Sequence, residues 1–378
     1  MKFSFATAAR VEFGPGVAAR LPEIVTGLGH RPFVVTGAHP QRLAALTDAL
    51  PGAAIFPVVG EPTMEVARLG MRAALDHQAD VFVGLGGGSA LDLAKVVSAL
   101  VANGGDPLDY AEVIGSGLPL RLPALPIVAV PTTSGTGSEV TANGVLASPE
   151  HGVKVSLRSP TMLARFALVD PELTLSAPPA VTAHAGLDAL VQCIEAFTTP
   201  RANVMTDALA REALRRSARS LRAAYADGSD LAARTDLSLA SLLSGMCLAN
   251  AGLGSAHGIA GPCGGMTRAP HGAITAAVMP AVSRANVAAA RAGRAAADTL
   301  ERYAEVGEIL AGARSPEAGI DWFAQTAGLL GVPGLAALGL EEGQISALAE
   351  ASARASSSKA NPVAFTVAEF AAIVRDSL

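Results

Sequence analysis

The chain has 378 residues, half of them apolar and 16% charged, with 28 basic and 33 acidic side chains and a net charge of −5. This length exceeds what one ordinary hydrophobic core accommodates, so two domains are expected. The sequence contains no run of eighteen apolar residues and no cluster of five basic residues, which excludes the usual signatures of a membrane span and of nucleic-acid binding. We therefore predict a soluble protein that acts on a small molecule, with no nucleic-acid or membrane partner.

The first residues of the chain and its cysteines indicate a cellular compartment. The first residues lead directly into strand-like sequence, without the basic region, apolar stretch and cleavage site of a secretory signal. Three widely spaced cysteines, Cys193, Cys247 and Cys263, suit reduced, buried thiols better than a disulfide framework. A cytoplasmic location is the expectation.

Up to residue 178, short β-branched runs alternate with longer segments in which apolar residues recur every three or four positions. This alternation predicts an α/β domain with a parallel sheet. The opening segment, Phe3 to Phe13, is predicted to form an extra strand pair at the edge of that sheet. The other predicted strands are Pro32–Thr36, Ala54–Val59, Val81–Leu85 and Pro126–Val130, and the predicted helices are Gln41–Leu50, Thr63–His77 and Leu91–Asn103.

Beyond Pro178 the sequence changes character. Ala, Leu, Arg and Glu dominate long segments such as 207–225 and 231–249, without β-branched runs between them, which predicts an all-helical domain. The segment Ser176–Pro179 continues neither pattern. We therefore predict an α/β domain over residues 1–178 and a helical domain over residues 179–378.

Two glycine-bearing segments follow predicted strands. Residues 84–89, Gly-Leu-Gly-Gly-Gly-Ser, pass from a strand into a helical pattern, so their backbone can approach a phosphate closely and the helix dipole can attract its charge. Residues 131–141, Pro-Thr-Thr-Ser-Gly-Thr-Gly-Ser-Glu-Val-Thr, follow another strand and are rich in hydroxyl groups. Ligands of open α/β sheets bind at the carboxyl ends of the strands, so both segments can hold one dinucleotide.

Together these two segments resemble the iron-containing (group III) alcohol dehydrogenase family, whose patterns they match at residues 86–95 and 131–141. The resemblance covers essentially the whole chain and is highly specific, because further matches follow in the family's order. These are Phe13-Gly14, Lys154, Asp170-Pro-Glu-Leu-Thr174, Ala185-Gly186, Asp188-Ala189, Glu195-Ala196, Pro270-His-Gly272 and Asn361-Pro362.

The resemblance implies a dehydroquinate synthase-like fold, with a Rossmann-like dinucleotide-binding domain, a helical metal and substrate domain, and a catalytic metal in the cleft between them. It also implies an NAD(P)-dependent alcohol dehydrogenase or carbonyl reductase, commonly a homodimer. By the same resemblance, the pyrophosphate would lie on the glycine loop, supported by two polar residues of the following helix, and the nicotinamide side would be lined from the threonine-rich segment. The implied cofactor-binding residues are Gly86, Gly87, Gly88, Ser89, Asp92, Lys95, Thr132, Thr133, Thr136 and Lys154.

The choice between NAD and NADP is open from the sequence. After the strand Pro32–Thr36, NAD-preferring relatives often carry an Asp that would repel a 2′-phosphate, and this chain has Gly37 there. The sequence therefore allows NADP as the cofactor. Arg42 or His39 could contact its phosphate, although a lone Arg is more often a solvated surface side chain.

The resemblance also implies a metal, Fe(II) or sometimes Zn(II), held by an Asp, a His four residues later on the same helix, and two further His. Residues four apart share one helix face, which explains the first pair. In this chain Asp188, His257 and His271 occupy the first, third and fourth positions, and Gln192 occupies the second. A neutral amide oxygen is a weaker ligand for these metals than imidazole, so the sequence predicts a weakened site.

Two neighbouring positions affect this prediction. The family usually carries another His near the nicotinamide, four residues after the third ligand, where this chain has Gly261. His184, one turn before Asp188, could substitute for the missing imidazole, although its place near a helix start also suits a capping or solvent-facing role.

Three hypotheses follow for the metal: weak binding through Asp188, His257, His271 and water, rescue by His184, or loss. If a metal is bound, it acts as a Lewis acid on the substrate oxygen. If it is lost, His257 or His271 would have to donate the proton.

The preferred activity is the interconversion of a small alcohol and its aldehyde or ketone, with hydride transfer to or from NAD(P)H. The alternatives are a maleylacetate reductase-like keto acid reductase, a metal-dependent lyase resembling dehydroquinate synthase, and a nucleotide-binding sensor without turnover. The sequence names no substrate.

Overall fold

The computed structural model describes residues 2–378 and divides into two compact units. The first unit is Ala6–Leu175. The second is Ser176–Leu378 together with the described residues before Ala6. Each unit has its own hydrophobic core, which agrees with the expectation that a chain of this length needs more than one core.

A six-stranded parallel sheet forms the centre of the first unit, and an antiparallel hairpin accompanies it. The strands in chain order are β1 (Arg10–Phe13), β2 (Pro32–Thr36), β3 (Ala54–Pro57), β4 (Val81–Gly86), β5 (Ile127–Pro131), β6 (Asn143–Ser148), β7 (Val153–Arg158) and β8 (Phe166–Val169). The order across the parallel sheet is β1-β8-β5-β4-β2-β3. The predicted α/β fold with a parallel sheet is confirmed. Strands β2 and β4 are adjacent although β3 lies between them in sequence, so the strand order reverses there, at the point where α/β proteins bind ligands.

Alternate residues of β4 face opposite sides of the sheet, as the period of a strand requires. Val83 and Leu85 join the core cluster that includes Leu21 and Val25 of the first helix. On the other side, a Cβ added at Gly84 would lie 3.0 Å from the Leu91 side chain, so a helix packs closely on this glycine. Both faces of the strand are buried, which explains its almost continuous apolar sequence.

Two of the three helices predicted for the first unit are present, over Met64–Asp76 and Gly88–Asn103, and two short helices, Leu21–Thr26 and Pro107–Tyr110, were not predicted. Thr63 caps α3 through its side chain, which accepts a hydrogen bond from the Val66 amide at 3.2 Å. The predicted helix Gln41–Leu50 is instead a 3₁₀ turn, Pro40–Leu43, continued by one α-turn. The helices are α1 (Leu21–Thr26), α2 (Ala44–Thr47), α3 (Met64–Asp76), α4 (Gly88–Asn103) and α5 (Pro107–Tyr110), with further 3₁₀ turns at Val17–Arg20, Ser138–Val140, Pro160–Met162 and Pro171–Thr174.

Three strand features differ from the predictions, and the first is β8 (Phe166–Val169), which was not predicted. The predicted strand pair over Phe3 to Phe13 is wrong, because only Arg10–Phe13 is a strand, and it pairs in parallel with Phe166–Val169. The antiparallel hairpin of β6 and β7 was not predicted. It follows the threonine-rich segment and is joined at Pro149–Gly152, where Gly152 has a positive φ of 62°.

The second unit is entirely helical among the described residues, which confirms the predicted helical domain. Its central helix, α6, has fifteen buried residues of twenty and packs against α7, α8 and α10. The helices are α6 (Pro179–Thr198), α7 (Val204–Ala226), α8 (Leu231–Ala251), α9 (Ser255–Thr267), α10 (His271–Arg291), α11 (Thr299–Ala311), α12 (Pro316–Leu329), α13 (Ile345–Arg354) and α14 (Val367–Arg375), with 3₁₀ turns at Glu342–Gln344 and Ser357–Ala360.

One helix, α10, is by itself long and apolar enough to cross a membrane, and α8 with α9 meets the same test as a pair bent by 100°. In α10, 72% of the apolar stretch is buried within the protein, which is the environment of a core helix.

Candidate functional site

The glycine segment forms the junction between β4 and α4. Gly87 is the N-cap of α4 and has no side-chain cap, and the first amides of a helix lack acceptors within it. These amides and the helix dipole make the junction a site for an anionic group. The predicted residues Gly86, Gly87, Gly88 and Ser89 all lie here.

The residues that follow β2 and β5 lie against this junction. A Cβ at Gly86 would lie 3.2 Å from the amide nitrogen of Gly37, and a Cβ at Gly88 would lie 2.7 Å from Cγ2 of Thr136. A Cβ at Gly87 would lie 3.4 Å from Oγ1 of Thr133. The carboxyl ends of β2, β4 and β5 therefore meet in a cradle that side chains would fill, and the cradle fits the pyrophosphate of a dinucleotide.

Asp92 and Lys95, which the resemblance implies as supports of the glycine loop, contact the threonine-rich segment and the strand that follows it. The buried Lys95 ammonium donates hydrogen bonds to Ser138 O at 2.9 Å and to Thr141 Oγ1 at 3.0 Å. Asp92 accepts from the Ser138 hydroxyl and from the Val145 amide. Burial, opposed by Asp92, lowers the pKa of Lys95.

Thr132 lies where β5 ends, and its amide donates to Gly86 O at 2.9 Å. Lys154 lies on β7, and its ammonium pairs with Glu61 Oε1 at 2.6 Å. The Lys154 side chain is therefore held toward the carboxylate of Glu61, a partner that the sequence did not indicate.

In the helical unit, three polar side chains form a stripe along the buried helix α6. Asp188, Gln192 and Glu195 are each 3% exposed, and their spacing of four and three residues places them on one helix face. Buried polar groups need partners. These partners come from α8, α9 and α10.

The ligand atoms of Asp188, His257 and His271 all lie within 4.8 Å of one another. Asp188 Oδ1 is 3.6 Å from His257 Nε2 and 3.9 Å from His271 Nε2. His271 is the first residue of α10, and the next residue is Gly272. A Cβ at Gly272 would lie 2.1 Å from the carbonyl oxygen of His184, so only glycine allows the two helices to approach closely enough to bring His271 to Asp188.

Glu195 orients the ring of His257. Its Oε2 lies 2.6 Å from His257 Nδ1, and its Oε1 accepts the Ala256 amide at 2.7 Å. The remaining ring nitrogen, His257 Nε2, is buried without a hydrogen-bond partner. Burial lowers the pKa of His257, but Glu195 and Asp188 outweigh it and raise that pKa to about 10.

Asp188 remains ionised despite its burial. Burial alone would raise its pKa, but His271, His257 and a hydrogen bond from Thr275 hold that pKa below its ordinary value. The Thr275 hydroxyl donates to Oδ1 at 2.8 Å, and the Gln192 amide nitrogen donates to Oδ2 at 2.9 Å. Both carboxylate oxygens are thus held in place.

These residues fit a divalent metal. An unpartnered imidazole nitrogen, a second imidazole and a carboxylate form a two-His, one-carboxylate set that leaves coordination positions open, as in non-haem Fe(II) centres, and three protein ligands are also typical of catalytic Zn(II). The carboxylate on the other nitrogen of His257 is the usual outer partner of a metal-bound His.

Comparison with known proteins agrees with this geometry. The family model described as iron-containing alcohol dehydrogenase matches residues 8–171, and the model of the C-terminal part of the same family matches residues 182–378. The chain belongs to the iron-containing alcohol dehydrogenase family. The predicted family is confirmed, and with it the assignment of the chain as an oxidoreductase.

Individual relatives share most of the chain. A long-chain-alcohol dehydrogenase of Geobacillus thermodenitrificans is 42% identical over 225 residues, covering 60% of this chain and 56% of the relative, so the match spans little more than half of that protein. A 1,3-propanediol dehydrogenase of Klebsiella pneumoniae is 36% identical over 365 residues, covering 94% of this chain and 90% of the relative. The crystal structure of a 1,3-propanediol oxidoreductase has a TM-score of 0.91, with 33% identity and 100% coverage of both chains.

The structure also places the residues on which the sequence left alternatives open. His184 does not belong to the group of ligand atoms formed by Asp188, His257 and His271, and no other such group occurs within residues 2–378. His184 is half-buried, and burial lowers its pKa. A Cβ at Gly261, where the family usually has a His, would have no atom within 4 Å.

Sequence reasoning missed the partners of the metal group. In the sequence, Glu195 belongs to the family pattern Glu195-Ala196, which does not indicate its role, and no pattern marks Thr275 or Ser244. A signal for Glu195 was present, since it continues the polar stripe of Asp188 and Gln192 in an otherwise apolar helix. Thr275 and Ser244 lie on other helices and had no such signal.

Proposed function

We propose that this chain transfers a hydride between a nicotinamide dinucleotide and a small alcohol or its aldehyde or ketone, with Asp188, His257 and His271 as the ligands of a divalent metal. One observation carries the proposal: His257 Nε2 is a buried ring nitrogen without a hydrogen-bond partner, 3.6 Å from Oδ1 of Asp188 and next to a second imidazole. A buried group of this kind is costly unless something binds it.

A metal held by Asp188, His257 and His271 would supply a Lewis acid for the substrate oxygen, and a dinucleotide held at the glycine junction would supply or accept the hydride. The residues of the chain position the metal ligands and the dinucleotide. Glu195 holds the proton on His257 Nδ1, so Nε2 would present its lone pair once the metal displaces the second ring proton. Thr275 fixes Oδ1 of Asp188. The glycine junction at Gly87 offers amides to the pyrophosphate.

The cofactor is proposed to be either NAD or NADP. Gly37 follows β2 and carries no carboxylate that would repel a 2′-phosphate. Arg42 lies on the next 3₁₀ turn, is exposed, and has no ion-pair partner within residues 2–378. An exposed guanidinium without a carboxylate partner is available to a phosphate group. Two related proteins are called NAD-dependent methanol dehydrogenase and sulfoacetaldehyde reductase in complex with NAD⁺.

The substrate is proposed to be a short alcohol or diol, in keeping with relatives named for 1,3-propanediol, 1-propanol and methanol. A cytoplasmic homodimer is proposed from the family resemblance. Light scattering of the purified protein tests the dimer.

The test of the activity is nicotinamide absorbance. Purified protein, loaded with Fe(II) or Zn(II) or left metal-free, is given NADH or NADPH with a panel of short aldehydes and ketones, and NAD⁺ or NADP⁺ with the matching alcohols. Net oxidation or reduction of the dinucleotide supports the proposal. Absence of any turnover across the panel, in protein that binds metal and dinucleotide, would refute it.

A discontinuous assay separates the lyase alternative. A lyase resembling dehydroquinate synthase would form product without net change of nicotinamide absorbance, whereas a dehydrogenase changes it with each turnover. Keto acids in the panel test the keto acid reductase alternative.

A further inference from the structure

We infer that Gln192 is not a metal ligand in this chain but a positioning residue, which holds Asp188 while three protein side chains bind the metal. The inference rests on the proposed metal site and concerns the residue that replaces the family's second ligand. Its test uses metal binding and spectroscopy, whereas the proposed activity is tested by nicotinamide turnover, so the two can fail separately.

The two oxygens of Asp188 have different surroundings. Oδ1 faces the imidazoles, at 3.6 Å from His257 Nε2 and 3.9 Å from His271 Nε2. Oδ2 accepts a hydrogen bond from Gln192 Nε2 at 2.9 Å. The carboxylate therefore offers the metal one oxygen, and Gln192 is bonded to the other.

The orientation of the Gln192 amide follows from its neighbours. Its Oε1 lies 2.8 Å from the Ser244 hydroxyl, whose oxygen also lies 2.8 Å from Ser241 O. Rotating the amide by 180° would still satisfy Ser244, because a hydroxyl can both donate and accept. The rotated amide would, however, place Oε1 against the ionised Oδ2 of Asp188, leaving two buried acceptors facing each other. Asp188 therefore selects the orientation in which the amide donates.

The consequence is an open metal centre. The Gln192 oxygen is directed to Ser244, away from Oδ1, so it does not complete the coordination sphere. Asp188, His257 and His271 then leave more positions to water and substrate than a four-ligand set would. The amide hydrogen bond restricts rotation of the Asp188 carboxylate, and outer partners of metal ligands typically change metal affinity by about 10- to 100-fold.

The experiment replaces the metal with Co(II), whose visible absorption and magnetic circular dichroism report its coordination. Gln192→Leu has a similar size but neither a hydrogen-bond donor nor a ligand atom. We expect its Co(II) affinity to fall by about 10- to 100-fold, with the bands of the saturated protein unchanged. Gln192→His adds an imidazole, so we expect shifted bands and tighter binding.

Ser244→Ala provides an independent variant, because it removes the partner of Oε1 without touching the carboxylate; we expect a smaller loss of affinity and unchanged bands. Ser241→Ala, one turn earlier on α8 and also buried, is the matched control and should bind Co(II) like the parent. Thermal unfolding verifies that each variant is folded.

Two results would overturn the inference. One is a change in the Co(II) bands of Gln192→Leu at saturation, which would show that the glutamine oxygen is a ligand. The other is Co(II) affinity in folded Gln192→Leu equal to that of the parent, which would show that Gln192 does not position Asp188.

Discussion

The substitution Glu195→Gln tests how the protein prepares His257. Glu195 accepts two hydrogen bonds, from His257 Nδ1 at 2.6 Å and from the Ala256 amide at 2.7 Å. A glutamine of the same shape has one oxygen and one NH₂ group, so one of these donors would face another donor. To avoid this, the His257 ring can move its proton to Nε2, and Nε2 would then no longer be free for a metal.

The magnitude follows from these contacts. Loss of an outer carboxylate partner lowers metal affinity by about 10- to 100-fold, which corresponds to about 1.4 to 2.7 kcal/mol. The lost hydrogen bonds to a charged group cost the fold a further ~1.5 to 3 kcal/mol.

Metal removal gives a second, pH-dependent readout of the same contact. In the metal-free protein, burial lowers the pKa of His257, but Glu195 and Asp188 raise it from 6.5 to about 10. The protonated ring therefore stabilises the fold fully below pH 6.5, and this contribution disappears as the pH rises through about 10. In the Glu195→Gln variant, the free energy of unfolding should depend less on pH over this range.

The assays are Zn(II) titration against a competing chelator, ¹⁵N NMR of the imidazole tautomer, and urea unfolding of metal-free protein between pH 6 and 10. Glu305→Gln is a suitable control, because Glu305 pairs with Arg211 away from the metal group. Parent-like Zn(II) affinity in folded Glu195→Gln, together with an unchanged tautomer, would refute this reasoning.

Three further predictions concern other parts of the molecule. Gly86→Ala places a methyl group 2.9 Å from Ala90 Cβ and 3.2 Å from the Gly37 amide nitrogen, and overpacking of this kind costs about 1 to 3 kcal/mol of stability. We expect the variant to bind NADH more weakly in a fluorescence titration. NADH affinity equal to that of the parent would contradict this prediction. Arg42→Ala should raise the KM for NADPH several-fold and leave that for NADH unchanged, since only NADPH has the 2′-phosphate; equal effects on both would show that Arg42 does not contact it. At Gly261 an added Cβ meets no atom within 4 Å, and alanine gains up to about 1 kcal/mol of helix propensity over glycine. Gly261→Ala should therefore raise the melting temperature. A lower melting temperature would mean that this position is packed.

The sequence predicted much of the fold because local patterns are strong there. β2 has the predicted bounds, Pro32–Thr36, and α3 follows its cap at Thr63. The predicted N-terminal strand pair failed because strand pairing depends on a distant partner, here Phe166–Val169. The sequence did not predict the hairpin of β6 and β7 because β6 packs on α4, a contact that alternation alone does not reveal.

The sequence by itself determined the order of the two domains, the glycine junction at Gly86–Gly88 and the identity of three metal-ligand candidates, because these depend on residue type and local spacing. It also revealed that Gln192 stands where the family has a histidine. Only the tertiary structure decided what Gln192 does, because its partner Ser244 lies 52 residues away. The partner of His257 lies 62 residues away and the Asp188–Thr275 pair is 87 residues apart. Which buried polar groups face one another depends on how the helices pack, and no local pattern encodes that packing.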